Sequence, residues 1–287
     1  MEPEMEIKSL KETDFGTICR AFGKAFADYE LQLNDTQLQA MLIRRGYLPE
    51  LSYGAFDGDE LVAFTLNGIG TFHDIATAYD TGTGTLPDYR GQGLATKIFE
   101  YSIPFLRAAG IRHYLLEVLQ HNTKAVSVYR NLGFEESREF NYFGQPNEMI
   151  LTGKEQPDVP YSIKEVDVAA CKSASGMADF HPSWQNSFES VERVMDKFVC
   201  LGAYLDNRLT GYCIFEPASG DVTQLAVEPM HRRKGIATAL LREALKRNKH
   251  SAVKVINTDT TCTNITDFLK ARNIQQKGKQ FEMIKVL

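Results

Sequence analysis

The sequence has few of the residues that mark metal-binding, disulfide-stabilised or membrane-embedded proteins. Its five cysteines include no CxxC pair and have no neighbouring histidine cluster, which argues against a zinc site and a disulfide framework. No apolar run approaches the length of a membrane-spanning helix, and the acidic start Met-Glu-Pro-Glu-Met-Glu lacks the pattern of a secretion signal. We therefore expect a cytoplasmic protein with no metal site and no membrane partner.

Positive charge is scarce in the first half of the chain. Residues 1–155 contain 14 Lys and Arg against 22 Asp and Glu, and the whole chain of 287 residues has a net charge of −5. This acidity disfavours nucleic acid as a partner and favours a small cationic acceptor. The hydrophobic content of 43% is that of a globular protein, and the length predicts two domains.

The stretch Leu86–Thr96 places a proline, an arginine and two glycines between a predicted strand and a predicted helix. The first N–H groups of such a helix lack intrahelical partners and lie at its positive dipole end, so the loop suits a bound phosphate. Gly91 and Gly93 would let a pyrophosphate approach the backbone, with Arg90 at the mouth as an ion partner. The predicted cofactor-binding residues are Leu86, Arg90, Gly91, Gln92, Gly93, Leu94, Ala95 and Thr96.

A second copy of this pattern follows 142 residues later. The order of the predicted elements also repeats, and Lys154–Pro160 has the composition of a linker. We therefore predict two domains, residues 1–155 and 156–287. The predicted cofactor-binding residues of the second loop are Val227, Arg232, Arg233, Lys234, Gly235, Ile236, Ala237 and Thr238.

Each half is predicted to contain a strand, helices, a β-hairpin, a further strand, the loop with its helix, another strand, a short helix and closing strands. Three details of the first half can be checked directly. Thr13 is expected to cap the first helix, Pro104 to kink the helix after the loop or push it to an edge, and Glu148–Leu151 to form a closing strand.

This order, with its motifs, resembles the GNAT (GCN5-related N-acetyltransferase) superfamily over nearly the whole chain. The resemblance rests on Pro87, Arg90, Gly91, Gly93 and Ala95, followed by Asn122, Ala125, Tyr129, Gly133 and Phe134. It implies an α/β fold of two tandem GNAT-like domains, each a mixed, largely antiparallel central sheet flanked by helices. It also implies acetyl-CoA as the cofactor, with Asn122 holding its pantetheine arm and Tyr129 protonating the departing CoA thiolate.

Glu117 is the predicted general base. A carboxylate inside the apolar run Leu-Leu-Glu-Val-Leu is costly unless it is exposed at a sheet opening or paired. The spacing from Glu117 to Asn122 and Tyr129 is similar to that in the ribosomal-protein alanine acetyltransferases, where such a Glu serves as base. The alternative is a carboxylate that points at an Arg on the other face of the sheet. Other carboxylates that could take the role are Asp80, Asp74, Asp28 and Glu30.

The second half departs from the pattern where chemistry would lie. Leu269 stands at the position of Tyr129, and either Cys262 or, with a shifted spacing, Asn264 stands at that of Asn122. Asn273 and Ile274 replace Gly133 and Phe134. We interpret this half as a degenerate copy that either still binds CoA or is only structural. The alternative is an enzyme in which solvent protonates the thiolate.

Three classes of function compete. In the first, the N-terminal half transfers an acetyl group from acetyl-CoA to a primary amine of a small molecule or peptide, by direct attack in a ternary complex. Backbone N–H groups around Gly84–Leu86 would polarise the thioester carbonyl. The second is a non-catalytic tandem acyl-CoA-binding sensor or scaffold. A dinucleotide-binding oxidoreductase is disfavoured because its glycine loop would follow the first strand of the domain.

Aromatic residues do not identify the acceptor. Trp184, the only tryptophan, is either a packed loop residue or an acceptor contact. Phe22, Phe26 and Tyr29 have spacings that are typical of a helix core.

Overall fold

The computed structural model describes residues 5–28, 32–153 and 160–287, and these form a mixed α/β protein. The chain packs into two compact units, Met1–Ser137 together with Glu282–Leu287, and Arg138–Phe281. The two halves are thus tandem copies of one mixed-sheet fold, as predicted. The predicted boundary between residues 155 and 156 lies outside the described residues.

The first unit contains five strands and four helices in the described residues 5–28 and 32–137. The strands are β1 (Glu6–Ser9), β2 (Tyr53–Asp57), β3 (Glu60–Phe72), β4 (Ile75–Thr85) and β5 (His113–Leu119), and the helices are α1 (Phe15–Ala25), α2 (Asp35–Arg45), α3 (Leu94–Ala108) and α4 (Thr123–Asn131). The strands follow each other in the order β1-β2-β3-β4-β5. All neighbours are antiparallel except β4 and β5, which are parallel.

Local sequence explains the helix ends of the first unit. Asp14, and not Thr13, caps α1, because its Oδ1 accepts the Thr17 N–H at 2.9 Å. Asn34 and Gln37 form a reciprocal capping box at the start of α2. Pro104 lies inside α3, so the helix continues through it and does not end there.

The core of the first unit lies between its helices and the central strands. Ile18 of α1, Leu38 of α2 and Phe64 of β3 belong to one buried cluster. The half-buried Phe22 and Phe26 pack against this cluster, with their ring centroids 4.5 Å apart. The helix-core interpretation of these two residues is therefore correct, while Tyr29 lies outside the described residues.

The C-terminal residues of the chain complete the first unit. The last strand, β12 (Gln275–Val286), ends beside β5, and the Leu287 N–H donates to the Arg112 carbonyl at 2.8 Å. Met283 is fully buried, and Glu282 Oε1 accepts a hydrogen bond from Ser137 Oγ at 2.7 Å. Sequence periodicity did not reveal that a strand from the second half would be needed by the first unit.

The second unit repeats the arrangement. Its further strands are β6 (Glu135–Pro146, from residue 138 onward), β7 (Ser162–Glu165), β8 (Val199–Leu205), β9 (Arg208–Glu216), β10 (Asp221–Val227) and β11 (Ala252–Asp259). Its helices are α5 (Val168–Ser173), α6 (Phe188–Glu192), α7 (Ile236–Arg247) and α8 (Thr263–Ala271). The strand order is β6-β11-β10-β9-β8-β7.

One predicted strand is absent, and the β-hairpin predicted for the second half is present. Glu148–Leu151 is not a strand: Asn147–Met149 forms a short 3₁₀ turn, and the Asn147 N–H donates to the Ser251 carbonyl at 3.0 Å. The hairpin turn between β8 and β9 is formed by Asp206 and Asn207, whose positive φ angles of 49° and 64° suit a two-residue hairpin loop. No helix in the described ranges is long and apolar enough to cross a membrane.

Candidate active site

The loop Leu86–Thr96 forms an open helix N-terminus in the first unit. After β4 the chain makes a short 3₁₀ turn over Pro87–Tyr89, and α3 begins directly after Gly93. No side chain caps this helix start, and the first hydrogen bond within the helix runs from the Lys97 N–H to the Gly93 carbonyl. The N–H groups of Leu94, Ala95 and Thr96 therefore precede the helical ladder and suit an anion.

The two loop glycines have a backbone conformation that favours glycine. Gly91 has a φ of 80° and Gly93 a φ of 72°, which is the left-handed region. An added Cβ at either position would meet no atom within 4 Å. The Leu86 and Leu94 side chains are buried in the core, so these residues present only backbone groups to a ligand.

The Arg90 side chain contacts other protein groups, and these contacts hold the loop in place. Its Nη2 donates to the Ala25 carbonyl at 3.0 Å, its Nε to the Thr85 carbonyl at 3.3 Å, and its Nη1 pairs with Asp28 at 3.0 Å. The guanidinium therefore ties the end of α1 to the end of β4. These contacts differ from the expected position at the mouth, where Arg90 would act as an ion partner of a ligand.

The central strands of the first unit separate beside this loop. The parallel register of β4 and β5 runs from Thr77 with His113 to Tyr79 with Leu115 and then stops. A β-bulge follows in β4, because Asn67 faces Asp80 whereas Leu66 faces Gly82. Beyond Tyr79 the two strands therefore leave an opening between them, and Asp80 is the first residue of β4 at that opening.

Tyr129 and Asp80 meet at the opening. The Tyr129 hydroxyl donates to Asp80 Oδ2 at 3.3 Å, and the Tyr129 ring packs edge-on against Phe99 and Phe134. Burial raises the pKa of Asp80 from 3.8 to about 6, although the hydrogen bonds that it accepts act in the opposite direction. The phenol of Tyr129 and a carboxyl group with a pKa of about 6 are thus hydrogen-bonded to each other at the opening.

Glu117 lies on the other face of the sheet. Tyr114 points toward Phe99 and Phe134, on the side of Tyr129, and Glu117 is three residues further along β5. Glu117 instead acts on Tyr79, where burial and then the negative charge of Glu117 raise the pKa of the phenol well above its usual range. The predicted acid and the predicted base therefore lie on opposite faces of the sheet.

Other predicted residues of the first unit have partly structural roles. Asn122 caps α4, since its Oδ1 accepts the Ala125 N–H at 3.3 Å. The Leu86 N–H donates to the Val62 carbonyl at 2.9 Å, so it is not one of the expected donors to a thioester carbonyl. Asp74, with a φ of 61°, lies in the turn between β3 and β4.

The loop of the second unit has the same geometry with different residues. Arg233 occupies the position of Gly91 with a φ of 62°, and Gly235 begins α7 with a φ of 85° and no side-chain cap. Arg232 makes the same kind of contacts as Arg90: its Nε donates to the Val227 carbonyl at 2.9 Å and its Nη1 pairs with Asp179 at 2.6 Å. Val227 and Ile236 are buried, whereas Lys234, Ala237 and Thr238 are half-buried around the helix start.

The chemistry-bearing positions of the second unit carry different side chains. The β-bulge of the first unit lies in β4 between residues 80 and 82, and that of the second unit lies in β10 between residues 222 and 224. Val222 therefore occupies the position that Asp80 has in the first unit. Helices α4 and α8 span matching nine-residue segments, which places Leu269 at the position of Tyr129 and Cys262 at that of Asn122. Cys262 makes no side-chain cap, and Asn264 contacts Asp179 at 3.5 Å.

A segment of the second unit bridges its own strand opening. Strands β10 and β11 are in register only at Asp221 and Lys254 within the described residues. Beyond that point the Asn186 carbonyl accepts from Gln224 Nε2 of β10 at 2.7 Å, and Asn186 Nδ2 donates to the Ile256 carbonyl of β11 at 2.9 Å. The neighbouring Trp184 is only 2% exposed, so it is a packed residue and not an exposed contact for an acceptor.

A cavity of about 350 Å³ opens beside the second loop. Its wall includes the helix start at Gly235 and Ile236, the strand residues Val222 and Val255, and Asn186. It therefore runs from the phosphate-type loop to the bridged part of the opening. No cluster of metal-ligating residues occurs in the ranges 5–28, 32–153 and 160–287.

The fold and the paired loops define a tandem acyltransferase class, and a sequence comparison identifies the family. A profile of the acetyltransferase (GNAT) family matches residues 17–134 and 169–267, one segment in each half. The chain therefore belongs to the GNAT acetyltransferase family, and its enzyme class is N-acetyltransferase.

Relatives of known activity and a solved structure agree with this assignment. N-alpha-acetyltransferase 30 of Schizosaccharomyces pombe is 30% identical over 87 residues, which cover 30% of this chain and 58% of that protein. Thialysine N-epsilon-acetyltransferase of Mus musculus is 27% identical over 154 residues, 46% of this chain and 85% of that protein. A tandem GNAT protein from the clavulanic acid biosynthesis pathway has a TM-score of 0.73 at 14% identity, over 99% of this chain and 98% of that chain. This last likeness concerns the fold.

Proposed function

We propose that the first unit transfers an acetyl group from acetyl-CoA to a primary amine by direct attack in a ternary complex. The observation that carries this proposal is the Tyr129 hydroxyl at the opening between β4 and β5, in the same unit as an uncapped helix start. The names of the two sequence relatives support the class of acceptor, because both describe acetylation of a nitrogen.

The first unit fits the cofactor through its backbone. The N–H groups of Leu94, Ala95 and Thr96 would hold the pyrophosphate, with Gln92 and Gly93 at the entrance of the helix. Asn122, at the start of α4, would contact the pantetheine arm. Acetyl-CoA supplies an activated acetyl thioester whose leaving group is the CoA thiolate.

Two side chains of the first unit would manage the protons. Glu117 takes the proton that the amine nitrogen loses, and Tyr129 donates its phenolic proton to the leaving sulfur. A phenol has a pKa of about 10 and a thiol about 8.5, so the transfer requires Tyr129 to be within hydrogen-bond reach of the sulfur. The nitrogen loses one proton and the sulfur gains one, which makes the overall reaction neutral in protons.

The test is steady-state turnover of the full chain with acetyl-CoA and a panel of amines. The panel contains free amino acids, polyamines, aminoglycosides and short peptides with either a free N-terminus or a lysine. We expect Tyr129→Phe and Glu117→Gln each to lower kcat by roughly 100-fold or more on the best amine. Unchanged activity in either variant removes that residue from its role.

A second candidate function is a non-catalytic acyl-CoA-binding sensor. The observation that favours it is the second unit, which has a loop, a helix start and a cavity but carries Val222 and Leu269 where the first unit has Asp80 and Tyr129. Arg233, Lys234 and the N–H groups after Gly235 would hold the cofactor there. Calorimetry with CoA separates the two functions, since two binding events without turnover of any amine favour the sensor, and no binding contradicts both.

A further inference from the structure

Asp80 is a buried carboxylate that the proposed reaction does not use. Its side chain is 8% exposed and has no ion-pair partner in the part of the chain that the structure describes. Such a group costs folding free energy, and buried carboxyl groups with displaced titration are enriched at functional sites. The second unit builds the same bulge with Val222, so the fold does not require a carboxylate here.

The carboxylate is fixed by its own strand and in turn holds Tyr129. The Gly82 N–H donates to Asp80 Oδ1 at 2.9 Å, and Thr83 Oγ1 donates to Oδ2 at 2.8 Å. These two bonds come from the bulged part of β4, where side chains are re-aimed relative to a regular strand. The third donor is the Tyr129 hydroxyl of α4, on Oδ2 at 3.3 Å. Asp80 therefore links the orientation of the Tyr129 phenol to the edge of the opening.

Other titratable and charged groups act on Asp80 from the surrounding elements. Arg45 of α2 contributes a weak attraction and donates to the neighbouring Thr81 carbonyl at 2.9 Å. Tyr114 of β5 and Tyr79 of β4 also interact with the Asp80 charge, and burial raises the pKa of both phenols well above 10. Neither phenol therefore titrates near neutral pH. Glu117 acts on Tyr79 from the other face of the sheet, so the Asp80→Asn variant is needed to assign a transition near pH 6 to Asp80.

We propose that Asp80 is the positioning residue of Tyr129: before transfer its carboxylate accepts the phenolic hydrogen bond and holds Oη at the opening. The phenol has a single proton, so this hydrogen bond is given up when the O–H turns to the leaving sulfur. This inference rests on the proposed function for its catalytic meaning. Its structural content, a hydrogen bond between the ionised Asp80 and Tyr129, can be measured without turnover. The second unit lacks both partners, because Val222 and Leu269 replace them together.

The first arm of the test is NMR of protein labelled with ¹³C in its 12 tyrosine rings, with Tyr129→Phe used to assign the Tyr129 signal. Burial raises the pKa of Asp80 to about 6, so the wild-type Tyr129 signal should shift with pH around a midpoint near that value. The shift should disappear in Asp80→Asn. A pH-independent Tyr129 signal in the wild type, or a transition that persists in Asp80→Asn, overturns the proposal.

The second arm is a double-mutant cycle on acetyl transfer. We expect Asp80→Asn to lower kcat by about 10-fold or more, the worth of a charge-assisted hydrogen bond, with KM for acetyl-CoA unchanged. In the Tyr129→Phe background the same substitution should change kcat by less than about twofold. Equal effects of Asp80→Asn in both backgrounds contradict the proposal.

The matched control is Glu60→Gln, which removes an exposed carboxylate paired with Lys24 at 2.6 Å in the same unit. It should alter neither the NMR transition nor kcat. If the wild type acetylates no amine, the proposed function fails, and the NMR arm still decides whether Asp80 holds Tyr129.

Discussion

The two units share one fold and one loop geometry but differ in the side chains at the strand opening. Both loops end in an uncapped helix start, and both arginines make the same kind of ion pair, Arg90 with Asp28 and Arg232 with Asp179. At the strand opening the first unit has Asp80 and Tyr129, whereas the second has Val222 and Leu269. Backbone geometry thus persists where side-chain identity has changed.

The openings also differ in what occupies them. In the second unit Asn186 hydrogen-bonds to both β10 and β11, so protein groups satisfy the polar edges of the separated strands. An apolar position, Val222, is compatible with such a bridged opening. We infer that the second unit offers a cofactor-type cavity without acceptor chemistry, and the first unit is the place of transfer.

Removing the last six residues should have the largest effect, and it should destabilise the first unit more than the second. Deletion of 282–287 takes away the strand beside β5, the buried Met283 and the hydrogen bond from Lys285 Nζ to the Leu132 carbonyl at the end of α4. Loss of a buried Met side chain alone costs about 2–5 kcal/mol. Hydrogen exchange should show lost protection in β5 and α4 but retained protection in β10, and acetyl transfer should vanish. Full activity of the truncated chain would contradict the assignment of these residues to the first unit.

Replacing Asp80 should remove a contribution that lowers the stability of the first unit. Because burial raises the pKa of Asp80 from 3.8 to about 6, the folded state binds its proton more tightly than the unfolded state. The ionised carboxylate therefore lowers stability as pH rises through the interval from about 4 to 6, and the penalty is present in full above it. Asp80→Asn should then raise the free energy of unfolding at pH 7.5 by up to about 3 kcal/mol, with no gain at pH 3.5.

The result that would count against this prediction is equal stabilisation by Asp80→Asn at pH 7.5 and pH 3.5. Denaturant unfolding at the two pH values measures it. Glu60→Gln provides the reference for an exposed carboxylate.

Alanine at Gly93 should strain the first loop. The φ of 72° lies in the left-handed region, where an L-residue with a Cβ costs about 1–2 kcal/mol. Gly93→Ala should lower stability by that amount and weaken CoA binding, as measured by denaturant unfolding and calorimetry. The control is Gly23→Ala inside α1, where a Cβ meets no atom within 4 Å and helix propensity should raise stability by roughly 0.5–1 kcal/mol. Similar effects at both positions would show that the loop conformation is not strained.

Exchanging the cap residues of α4 and α8 should give the smallest effect. Asn122 caps α4 through its side chain and Cys262 makes no such bond at α8. Asn122→Cys should cost about 1 kcal/mol, and Cys262→Asn should gain a similar amount or less. Thermal unfolding measures the change in stability of each variant. A loss of stability in Cys262→Asn would show that the two helix starts are not equivalent.

Much of this architecture could be predicted from local patterns. Periodicity and turn chemistry predicted the order of the elements, the hairpin in each half and the two loops. The cap at Asp14 was missed because Thr13 and Asp14 are adjacent and both suit an N-cap. The error at Glu148–Leu151 has a different cause, since only Ile150 of its apolar residues is buried, whereas Met149 and Leu151 are exposed next to a short 3₁₀ turn.

The site was predicted in its residues more than in its contacts. The loop follows from its local pattern and Tyr129 from the family resemblance, but the pairing of Tyr129 with Asp80 depends on a β-bulge. No local signal identified Asp80 among the several carboxylates of the first half. A comparison of positions 80 and 222, acidic in one copy and apolar in the other, was the one sequence signal that could have identified Asp80. The C-terminal strand of the first unit is a long-range pairing, which periodicity does not report.

If acetyl transfer takes place in the first unit, a pair of matched variants, one in each unit, should differ in rate. The measurement is kcat for acetyl transfer to the best amine of the panel by Tyr129→Phe and by Leu269→Met. Each change keeps the local packing volume in its own unit. We expect kcat to decrease by about 100-fold in Tyr129→Phe and to be unchanged in Leu269→Met. The opposite pattern, or equal losses in both variants, would contradict it.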